Sequence, residues 1–411
     1  MKRVSIIGYG VTTAPLVDFL NQQGIGCDIF DDKFNQSSQK GLNNFIPTKN
    51  FDTFRSNLEI TSPGIPPYHT LIQNSKNLVS EYDFFDSLVS YDPISIWISG
   101  TNGKTTTTQM LEFLLQEKGA MSGGNIGYPL TNLYLQKPPI WILETSSFML
   151  HYTKKAFPKL YILLPVREDH ISWHQGFDGY LDAKLSPLLR MQEDGIALIP
   201  EELKEHPNCK KTQTKIVFYR SSAQIADLFG FNLKESVFKE PFLLDSLLAL
   251  GGVKLLFGEV KLTALNNFQI GRHRIEEFFD SKKRLWVNDS KGTNVDATCE
   301  AIKRYQDKKI LLILGGDDKG ADQRPVFELI KHLDIKLFLI GSNAKRLEKL
   351  ALEYNIGFEN CFYLQDAVLK IKREREENDV VLLSPAAASL DQFDSYKHRG
   401  EVFKQLALQR D

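Results

Sequence analysis

Residues 96–108 read Ile-Trp-Ile-Ser-Gly-Thr-Asn-Gly-Lys-Thr-Thr-Thr-Thr. An apolar, β-favouring run ends at Gly100 and a helical pattern begins after Lys104, so Gly100 and Gly103 lie at a strand-to-helix turn. Glycines let the backbone approach a phosphate closely, and the free N–H groups of a helix start bind anions. The stretch therefore predicts a phosphate-binding loop in an α/β fold.

This loop is shorter than the usual phosphate loop. The standard pattern is GxxxxGK[ST], whereas only Thr101 and Asn102 separate the two glycines here. If the loop binds phosphate, Lys104 supplies a cation and Thr105 a magnesium ligand. The alternative interpretation is a tight strand-to-helix turn with a solvated lysine.

The composition indicates a soluble globular protein of several domains. The chain has 411 residues, 42% hydrophobic and 25% charged, with a formal net charge of -1. This length suggests about three domains, and the charge lacks the basic excess of a nucleic-acid binder. The cysteines form no CxxC pair, so we expect neither a zinc site nor disulfides, and a cytoplasmic location. No apolar stretch is long enough to span a membrane.

The first region, residues 1–91, resembles the start of a doubly wound nucleotide-binding unit. Residues 4–7 read as a buried strand and residues 14–22 as a helix, with a glycine-containing turn between them. A second strand ends at Asp31-Asp32, where an acid can bind a ribose or a base edge. Thr13 replaces the third glycine of the dinucleotide pattern. NAD, another nucleotide and a purely structural turn are therefore alternatives.

Two predicted strands of the middle region, residues 92–270, end at metal-binding side chains. Glu144 follows the first of these strands, and Asp169 and His170 follow the second. Oxygen ligands suit magnesium, so Glu144 with nucleotide phosphates is a sensible site. A histidine at a strand end is more often a polar loop residue, and Asp169 is the alternative ligand. Asn125, in a glycine-rich turn, could present its amide to a ligand.

Lys184 lies in residues 177–191, a segment with helical spacing. Its neighbours in the sequence give it no special environment. Taken alone, the local sequence predicts a solvated surface lysine.

The last region, residues 271–411, reads as a third parallel α/β unit with polar loops after its strands. These loops span residues 288–294, 315–320 and 384–393, and each combines Lys, Thr or Ser with a helix start. Such loops at one sheet edge suit carboxylate recognition. The basic cluster at residues 272–274 is either a ligand contact or an interdomain hinge or salt bridge.

Taken in order, these motifs resemble the Mur ligases, and the last region resembles the branch that adds D-glutamate. The motifs are GTNGKTT (100–106), GGNIG (123–127), LETSSF (143–148), EDH (168–170), DAK (182–184), HR (273–274), NDSKGTN (288–294), LGGDDKGAD (314–322) and SPAAASLDQF (384–393). The resemblance covers nearly the whole chain. It implies three α/β domains: a Rossmann-like UDP-sugar domain (1–91), a P-loop ATPase-like domain (92–270) and a Rossmann-like amino-acid domain (271–411).

The resemblance also implies roles for individual residues. The expected ATP contacts are Gly100, Thr101, Asn102, Gly103, Lys104, Thr105, Thr106, Arg274, Asp289 and Lys291. The expected UDP-sugar contacts are Val11, Thr12, Asp31, Asp32, Lys33, Ser62 and Asn125. The expected D-glutamate contacts are Thr293, Lys319, Ser389, Leu390 and Tyr396. The expected metal ligands are Thr105 and Glu144 for one magnesium ion and His170 for a second, with Lys184 as a carbamate that helps to position the metal. The expected catalytic residues are Lys104, Glu144, His170 and Lys184.

The implied activity is the ATP-dependent addition of D-glutamate to UDP-N-acetylmuramoyl-L-alanine through an acyl phosphate, in cytoplasmic peptidoglycan precursor synthesis. The implied cofactors are magnesium and a carbamylated lysine. We expect a monomer that binds these small molecules and neither nucleic acid nor a membrane. The alternatives are a sister ligase, such as another muramyl ligase or a folylpolyglutamate synthetase, and a non-catalytic nucleotide sensor built on the same fold.

Three positions depart from the family pattern. An Asn-rich stretch before the apolar helix of the middle domain is replaced by residues 240–245, Glu-Pro-Phe-Leu-Leu-Asp. Met149 stands where glutamine is common, and Tyr396 replaces a more usual Phe. The first departure leaves the adenine contacts without their usual residues.

Overall fold

The computed structural model describes residues 3–53 and 56–409 and contains three six-stranded sheets. The chain divides into two compact units, Met1–Phe268 and Gln269–Asp411. The first unit contains two of the sheets and the second contains one. The predicted α/β class is thus confirmed, whereas the predicted boundary between residues 91 and 92 stays a prediction.

The first sheet lies near the start of the chain. Its strands are β1 (Arg3–Ile7), β2 (Gly26–Phe30), β3 (Ser38–Lys40), β4 (Asn43–Ile46), β5 (Glu59–Thr61) and β6 (Leu78–Val79). Its helices are α1 (Thr13–Gln22), α2 (Thr70–Asn74) and α3 (Glu81–Asp86), with a 3-10 turn at Thr48–Asn50. The order is β3-β4-β2-β1-β5-β6, and only the pairing of β3 with β4 is antiparallel. The predicted doubly wound start is therefore present.

The second sheet is entirely parallel. Its strands are β7 (Ile94–Ser99), β8 (Ala120–Gly124), β9 (Ile140–Glu144), β10 (Leu160–Leu163), β11 (Ile196–Pro200) and β12 (Lys215–Tyr219). Its helices are α4 (Lys104–Leu115), α5 (Leu130–Gln136), α6 (Ser147–Tyr152), α7 (Ile171–His174), α8 (Phe177–Leu185), α9 (Pro207–Lys211), α10 (Ser222–Phe229) and α11 (Phe242–Phe257). The order is β12-β11-β10-β7-β9-β8. After β7 the chain passes to β8 on one side of the sheet, whereas after its neighbour β10 it passes to β11 on the other side. Ligands bind at such a switch point.

The helix predicted over residues 177–191 is shorter in the structure. It ends at Leu185 and continues as a 3-10 turn, Ser186–Leu189. Pro187 lies in this turn and has no N–H to continue the α-helical hydrogen bonds. Other 3-10 turns around the second sheet lie at Gln116–Lys118, Glu201–Leu203, Leu233–Glu235 and Leu262–Leu265.

Polar contacts connect elements packed on the two sheets of the first unit. The carboxylate of Asp83 in α3 accepts backbone hydrogen bonds from Lys154 (2.8 Å), Lys155 (2.9 Å) and Ala156 (2.9 Å), just after α6. The hydroxyl of Tyr152 donates to the Ile65 carbonyl at 2.5 Å. A buried carboxylate that is satisfied by several N–H groups resists separation, which accounts for a single compact unit.

The third sheet forms the second unit. Its strands are β13 (Glu276–Phe279), β14 (Leu285–Asn288), β15 (Ile310–Leu314), β16 (Ile335–Ile340), β17 (Phe358–Phe362) and β18 (Val380–Leu383). Its helices are α12 (Val295–Lys303), α13 (Arg324–Ile330), α14 (Ala344–Glu353), α15 (Leu364–Glu374) and α16 (Tyr396–Leu408). The order is β13-β14-β18-β15-β16-β17, and every strand except the edge strand β13 is parallel. The parallel unit predicted from the sequence therefore has one antiparallel edge.

The central strands are apolar along their whole length because helices cover both faces of a parallel sheet. In β15, for example, all residues from Ile310 to Leu314 are buried. Among the described residues, no helix combines the length and the apolar character needed to cross a membrane.

Candidate active site

The loop between β7 and α4 has the geometry of an anion-binding turn. Gly100 and Gly103 have φ angles of 137° and 83°, in the region that favours glycine. A Cβ at Gly103 would lie 2.4 Å from Oδ1 of Asp245, and one at Gly100 would lie 2.5 Å from Cβ of Leu164. No larger residue fits at either position. Gly103 is also the N-cap of α4, so the N–H groups of Lys104, Thr105 and Thr106 start the helix there.

Lys104 bends back over this loop. Its Nζ donates to the carbonyls of Gly100 (2.9 Å) and Thr101 (2.7 Å). Burial lowers its pKa, while the carboxylates of Glu144 and Asp169 act in the opposite direction. The lysine is therefore held within the phosphate loop rather than solvated, in contrast to the alternative interpretation of the sequence.

Glu144 ends β9, the strand beside β7, and only 2% of the residue is exposed. Its Oε1 accepts a 2.6 Å hydrogen bond from the Asn125 amide, and its Oε2 is buried with no hydrogen-bond partner in the described part of the chain. A buried carboxylate oxygen without a partner is costly unless a cation or proton binds it. The Asn125 side chain, expected to face a ligand, orients Glu144 in this structure.

The loop after β10 brings Asp169 and His170 to the same sheet edge. His170 has a left-handed φ of 53° and lies with its ring 4.6 Å from that of Phe148. Burial lowers the pKa of both Lys104 and Lys184, and the charge of Asp169 opposes the shift in each case, so its carboxylate lies near both ammonium groups. Among the described residues, no three His, Cys, Asp or Glu side chains form a metal cluster. A metal ion at this edge would therefore need further oxygen ligands from a substrate. Asp169 and His170 remain candidate ligands for such a metal site.

Lys184 is not the surface residue that its local sequence predicts. It is 1% exposed, and its Nζ donates to the Gly100 carbonyl (2.7 Å) and to Ser99 Oγ (3.3 Å). Burial and the nearby charge of Lys104 lower its pKa well below the usual value, although Asp169 opposes the shift. The correction has a tertiary cause: α8 packs its C-terminal turn beneath the phosphate loop, so the ammonium lies inside.

Two residues that the sequence did not single out as positioning groups connect this loop to its surroundings. The Thr101 hydroxyl donates to the Arg167 carbonyl at 3.0 Å and lies 3.1 Å from the hydroxyl of Tyr180. The Tyr180 ring in turn lies 4.6 Å from Lys184 Nζ. Only the packing of α8 against the loop reveals this role for Tyr180.

The carboxyl edge of the first sheet carries the residues expected to bind the UDP-sugar. Asp31 accepts hydrogen bonds from the backbone N–H groups of Tyr9 (2.7 Å) and Lys33 (3.0 Å), and Lys33 Nζ lies 3.6 Å from the same carboxylate. Val11 is 80% exposed in the loop after β1. Ser62 follows β5, which pairs with β1. These loops follow adjacent strands, with Thr12 beside Val11 and Asp32 beside Asp31.

Three loops of the third sheet meet as predicted. They follow β14, β18 and β15, which are neighbours in the sheet. Backbone N–H groups of Asp317 and Ala388 donate to each other's carbonyls at 3.0 and 2.9 Å, and the N–H of Ala386 donates to the Gly292 carbonyl at 3.0 Å. Thr293, Lys319, Ser389, Leu390 and Tyr396 lie on these loops or at the start of α16.

Arg399 joins two of these loops and was missed in the sequence. It is fully buried and donates to Ser290 Oγ (3.0 Å) and to the carbonyls of Ser290 (2.9 Å) and Ala387 (3.1 Å). Burial lowers its pKa to about 10. Arginine within a helix pattern is usually solvated, so the sequence gives no sign of this contact.

The residues expected to touch the nucleotide from the third sheet have different surroundings. Asp289 is buried, and burial raises its pKa to about 7; its carboxylate accepts from Ser384 Oγ (2.6 Å) and from the Ile275 N–H (3.2 Å). Arg274 opposes this pKa shift, so its charge lies near Asp289. Lys291 Nζ lies 4.5 Å from the ring centre of Tyr396. In the basic cluster, Arg272 forms an ion pair with Glu401 at 2.9 Å, as its alternative interpretation proposed.

Two of the family departures also have a place in the structure. Asp245, in the first turn of α11, is buried against Gly103 of the phosphate loop. Met149 is buried in α6, with its sulfur 3.7 Å from the hydroxyl of Tyr82. Met149 therefore fills an apolar position and offers no amide there.

The fold and the phosphate loop define the chain as a Mur ligase by class. A family model for the Mur ligase middle domain matches residues 98–264, the region that contains the phosphate loop, Glu144 and Lys184. The chain is also similar to the solved MurF ligase from Thermotoga maritima in complex with ADP. The TM-score is 0.60 at 15% identity, and the match covers 93% of this chain and 94% of the other, which shows a shared fold.

Curated relatives specify the branch. The chain is 46% identical over 420 residues to the UDP-N-acetylmuramoylalanine–D-glutamate ligase of Helicobacter pylori strain HPAG1, covering 99% of both chains. It is 46% identical over 404 residues to the enzyme of the same name from Campylobacter jejuni strain RM1221, covering 98% of both. The chain belongs to the family of UDP-N-acetylmuramoylalanine–D-glutamate ligases.

Proposed function

We propose that this chain catalyses the ATP-dependent addition of D-glutamate to UDP-N-acetylmuramoyl-L-alanine, with release of ADP and phosphate. The observation that carries the proposal is the 46% identity over 99% of the chain to a relative whose name states UDP-N-acetylmuramoylalanine and D-glutamate. The similar fold of a ligase solved in complex with ADP supports the use of ATP. Acyl activation by ATP needs positive charge around the phosphates. Lys104 of the phosphate loop supplies such a charge, and the buried Glu144 at the adjacent strand end could bind a metal cation there, so both support the proposal.

The reaction has two steps. A carboxylate oxygen of the L-alanine end attacks the γ-phosphorus of ATP; the new O–P bond forms as the bond to ADP breaks, and ADP takes the electron pair. The amine of D-glutamate then attacks the acyl carbon, a C–N bond forms, phosphate leaves, and the nitrogen loses a proton. A carboxylate is unreactive toward amines without this activation, so the acyl phosphate must be shielded from water.

The residues of the phosphate loop act on the first step. Lys104 holds positive charge at the loop, and the N–H groups that start α4 are free to bind a phosphate there. These groups offset the repulsion between two anions and the charge that passes to ADP. Thr101 and its contact with Tyr180 keep the loop in place.

The donor set fits magnesium. The Oε2 of Glu144, which has no hydrogen-bond partner among the residues that the structure describes, is a hard oxygen. Magnesium commonly binds one or two protein carboxylates together with substrate phosphates. We propose Thr105 and Glu144 as ligands of one magnesium ion together with the phosphates, His170 as a ligand of a second, and the carbamate of Lys184 as an orienting anion. When bound, magnesium supplies charge neutralisation at the phosphates. Asp169 is the alternative to His170.

The UDP-sugar and acceptor sites are assigned on separate sheets. We propose that Val11, Thr12, Asp31, Asp32, Lys33 and Ser62 bind the UDP end, with Asn125 further along. We propose that Thr293, Lys319, Ser389, Leu390 and Tyr396 bind D-glutamate, and that Arg274, Asp289 and Lys291 act on the nucleotide. The exposure of Val11 and of Lys319 supports contact with ligands, whereas the internal bonds of Asp289 favour a loop-positioning contribution. The proposed enzyme is a monomer in the cytoplasm, where ATP and UDP-sugars are available.

The deciding experiment is a phosphate-release assay with UDP-N-acetylmuramoyl-L-alanine, ATP and one amino acid at a time. We expect turnover with D-glutamate and none with L-glutamate, because inversion directs the amine away from the acyl phosphate. Comparable rates with L-glutamate or L-lysine would instead indicate a sister ligase. No ADP with any amino acid would indicate a nucleotide sensor.

Replacing Lys319 with alanine tests the acceptor site. A hydrogen bond to a charged group is worth about 1.5–3 kcal/mol, so the KM for D-glutamate should rise by about 10- to 100-fold. The KM for ATP should change by less than about two-fold. Lys331, paired with Glu328 at the end of α13, offers a matched control on the same unit. An unchanged KM for D-glutamate in Lys319→Ala would remove this lysine from the site.

A further inference from the structure

We propose that Arg346 and Asn343, at the start of α14, hold the Asp318 carboxylate in one orientation, and that this lock positions Lys319 for the amino-acid substrate. Neither residue is among those assigned to a ligand above, and both act through the loop rather than on the substrate. The inference rests on the proposed function, because it names positioning residues for the D-glutamate site.

The lock is centred on the Asp318 carboxylate, whose side chain is only 7% exposed. Its Oδ2 accepts hydrogen bonds from Nδ2 of Asn343 at 2.5 Å and from Nη2 of Arg346. Its Oδ1 accepts from the Gly320 N–H at 3.0 Å. A buried carboxylate with charge-assisted partners on both oxygens has a defined orientation, so Asp318 is fixed to α14.

The same helix start holds both ends of the loop. Arg346 Nη2 also donates to the Ala321 carbonyl at 2.8 Å, beyond Lys319. Before Lys319, Asn343 Oδ1 accepts from the Gly316 N–H at 3.0 Å, and Ser342 Oγ donates to the Gly316 carbonyl at 3.0 Å. The segment from Gly316 to Ala321 is therefore fastened to one rigid element on either side of the lysine.

Lys319 lies between these two hydrogen-bonded ends of the loop, in a backbone conformation that lysine seldom adopts. Its φ is 51°, in the left-handed region that a lysine rarely occupies, and its N–H donates to Asp317 Oδ1 at 3.1 Å. The side chain is exposed. Because the backbone is set by Asp317 and Asp318, the direction in which the ammonium leaves the loop depends on the lock.

Charge gives the lock a second effect. D-glutamate carries two carboxylates, and Asp318 directly precedes the lysine that is assigned to bind one of them. With Arg346 in place, the negative charge of Asp318 is paired within the loop. Without Arg346, that charge would compete for the Lys319 ammonium and repel the substrate carboxylates.

The test is Arg346→Met in the full-length protein, with Arg304→Met as the matched control. Arg304 forms an ion pair with Glu277 at 3.3 Å in the same unit, but it lies at the end of α12 that is remote from the loops. Misplacing a positioned group costs one to two orders of magnitude, so we expect the KM for D-glutamate to rise roughly ten-fold in Arg346→Met. The KM for ATP and the melting temperature should match those of Arg304→Met.

A second variant separates charge from geometry. In the double variant Asp318→Asn/Arg346→Met the unpaired carboxylate is gone, so part of the D-glutamate affinity should return. An unchanged KM for D-glutamate in Arg346→Met overturns the inference, as does an equal loss for all substrates in Arg346→Met and Arg304→Met. If the unsubstituted protein turns over no D-glutamate, the proposed function fails and this inference fails with it. If the unsubstituted protein turns over D-glutamate normally while the KM of Arg346→Met is unchanged, only the inference about Arg346 and Asn343 fails.

Discussion

Lys104→Ala is expected to lower turnover by about 100- to 1000-fold, the loss typical of removing one preorganised group that stabilises transition-state charge. Lys104 Nζ is held by the Gly100 and Thr101 carbonyls, so its charge lies at the phosphate loop, whereas the residues assigned to the UDP end lie on loops of the first sheet. Binding of UDP-N-acetylmuramoyl-L-alanine should therefore persist. We therefore expect a variant that binds UDP-N-acetylmuramoyl-L-alanine normally but turns it over slowly.

Two measurements check this result. A coupled ADP assay gives the rate, and calorimetry without ATP gives the affinity for the UDP-sugar, which should stay within about two-fold of the unsubstituted protein. Lys118→Ala is the matched control, because Lys118 lies in the 3-10 turn at the far end of α4 and is exposed. Loss of UDP-sugar binding in Lys104→Ala would show that the two sites of the first unit are not independent.

Lys184→Ala is expected to lower turnover by about 100-fold, the upper end for a group that orients the ligands of a metal. A carbamate forms when a neutral amine attacks carbon dioxide, which creates an N–C bond and releases a proton. Burial and the charge of Lys104 lower the pKa of Lys184, so the neutral amine that this reaction needs is favoured. The modification turns a cation into an anion beside the proposed metal site.

Chemical rescue distinguishes this role from a structural one. Formate or acetate should restore part of the activity of Lys184→Ala by occupying the position of the missing anion, and it should restore none to Lys104→Ala. Lys184→Arg should stay inactive, because it keeps a positive charge. Lys211→Ala is the control for the loss of a lysine, because Lys211 is exposed at the end of α9.

Two outcomes would contradict the carbamate. The first is near-normal turnover of Lys184→Ala in bicarbonate-free buffer. The second is loss of the thermal transition in Lys184→Ala, because the buried Nζ also donates to the Gly100 carbonyl and a purely structural lysine would act through that bond. Melting temperatures of the variants therefore accompany every rate.

Much of the candidate site could be predicted from strand ends. Apolar runs such as residues 96–99 and 310–314 identify buried parallel strands, and polar residues directly after such runs must lie at the carboxyl edge of the sheet. This reasoning placed Lys104, Glu144 and the loops around Lys319 correctly at sheet edges. It could not give the antiparallel edge strand β13, because short edge strands carry little hydrophobic signal.

The sequence by itself determined the α/β class, the three sheets, the phosphate loop and the family, because each depends on local residue patterns and on the order of short motifs along the chain. Only the tertiary structure decided which polar side chains lie inside. Lys184 resembles a surface lysine in the sequence, but α8 packs under the phosphate loop and buries it. The Asn125 amide donates to Glu144, and Asp318, in a loop, pairs with Arg346 of α14. Burial and pairing depend on what packs over a side chain, and those partners lie 19 to 84 residues away in the sequence.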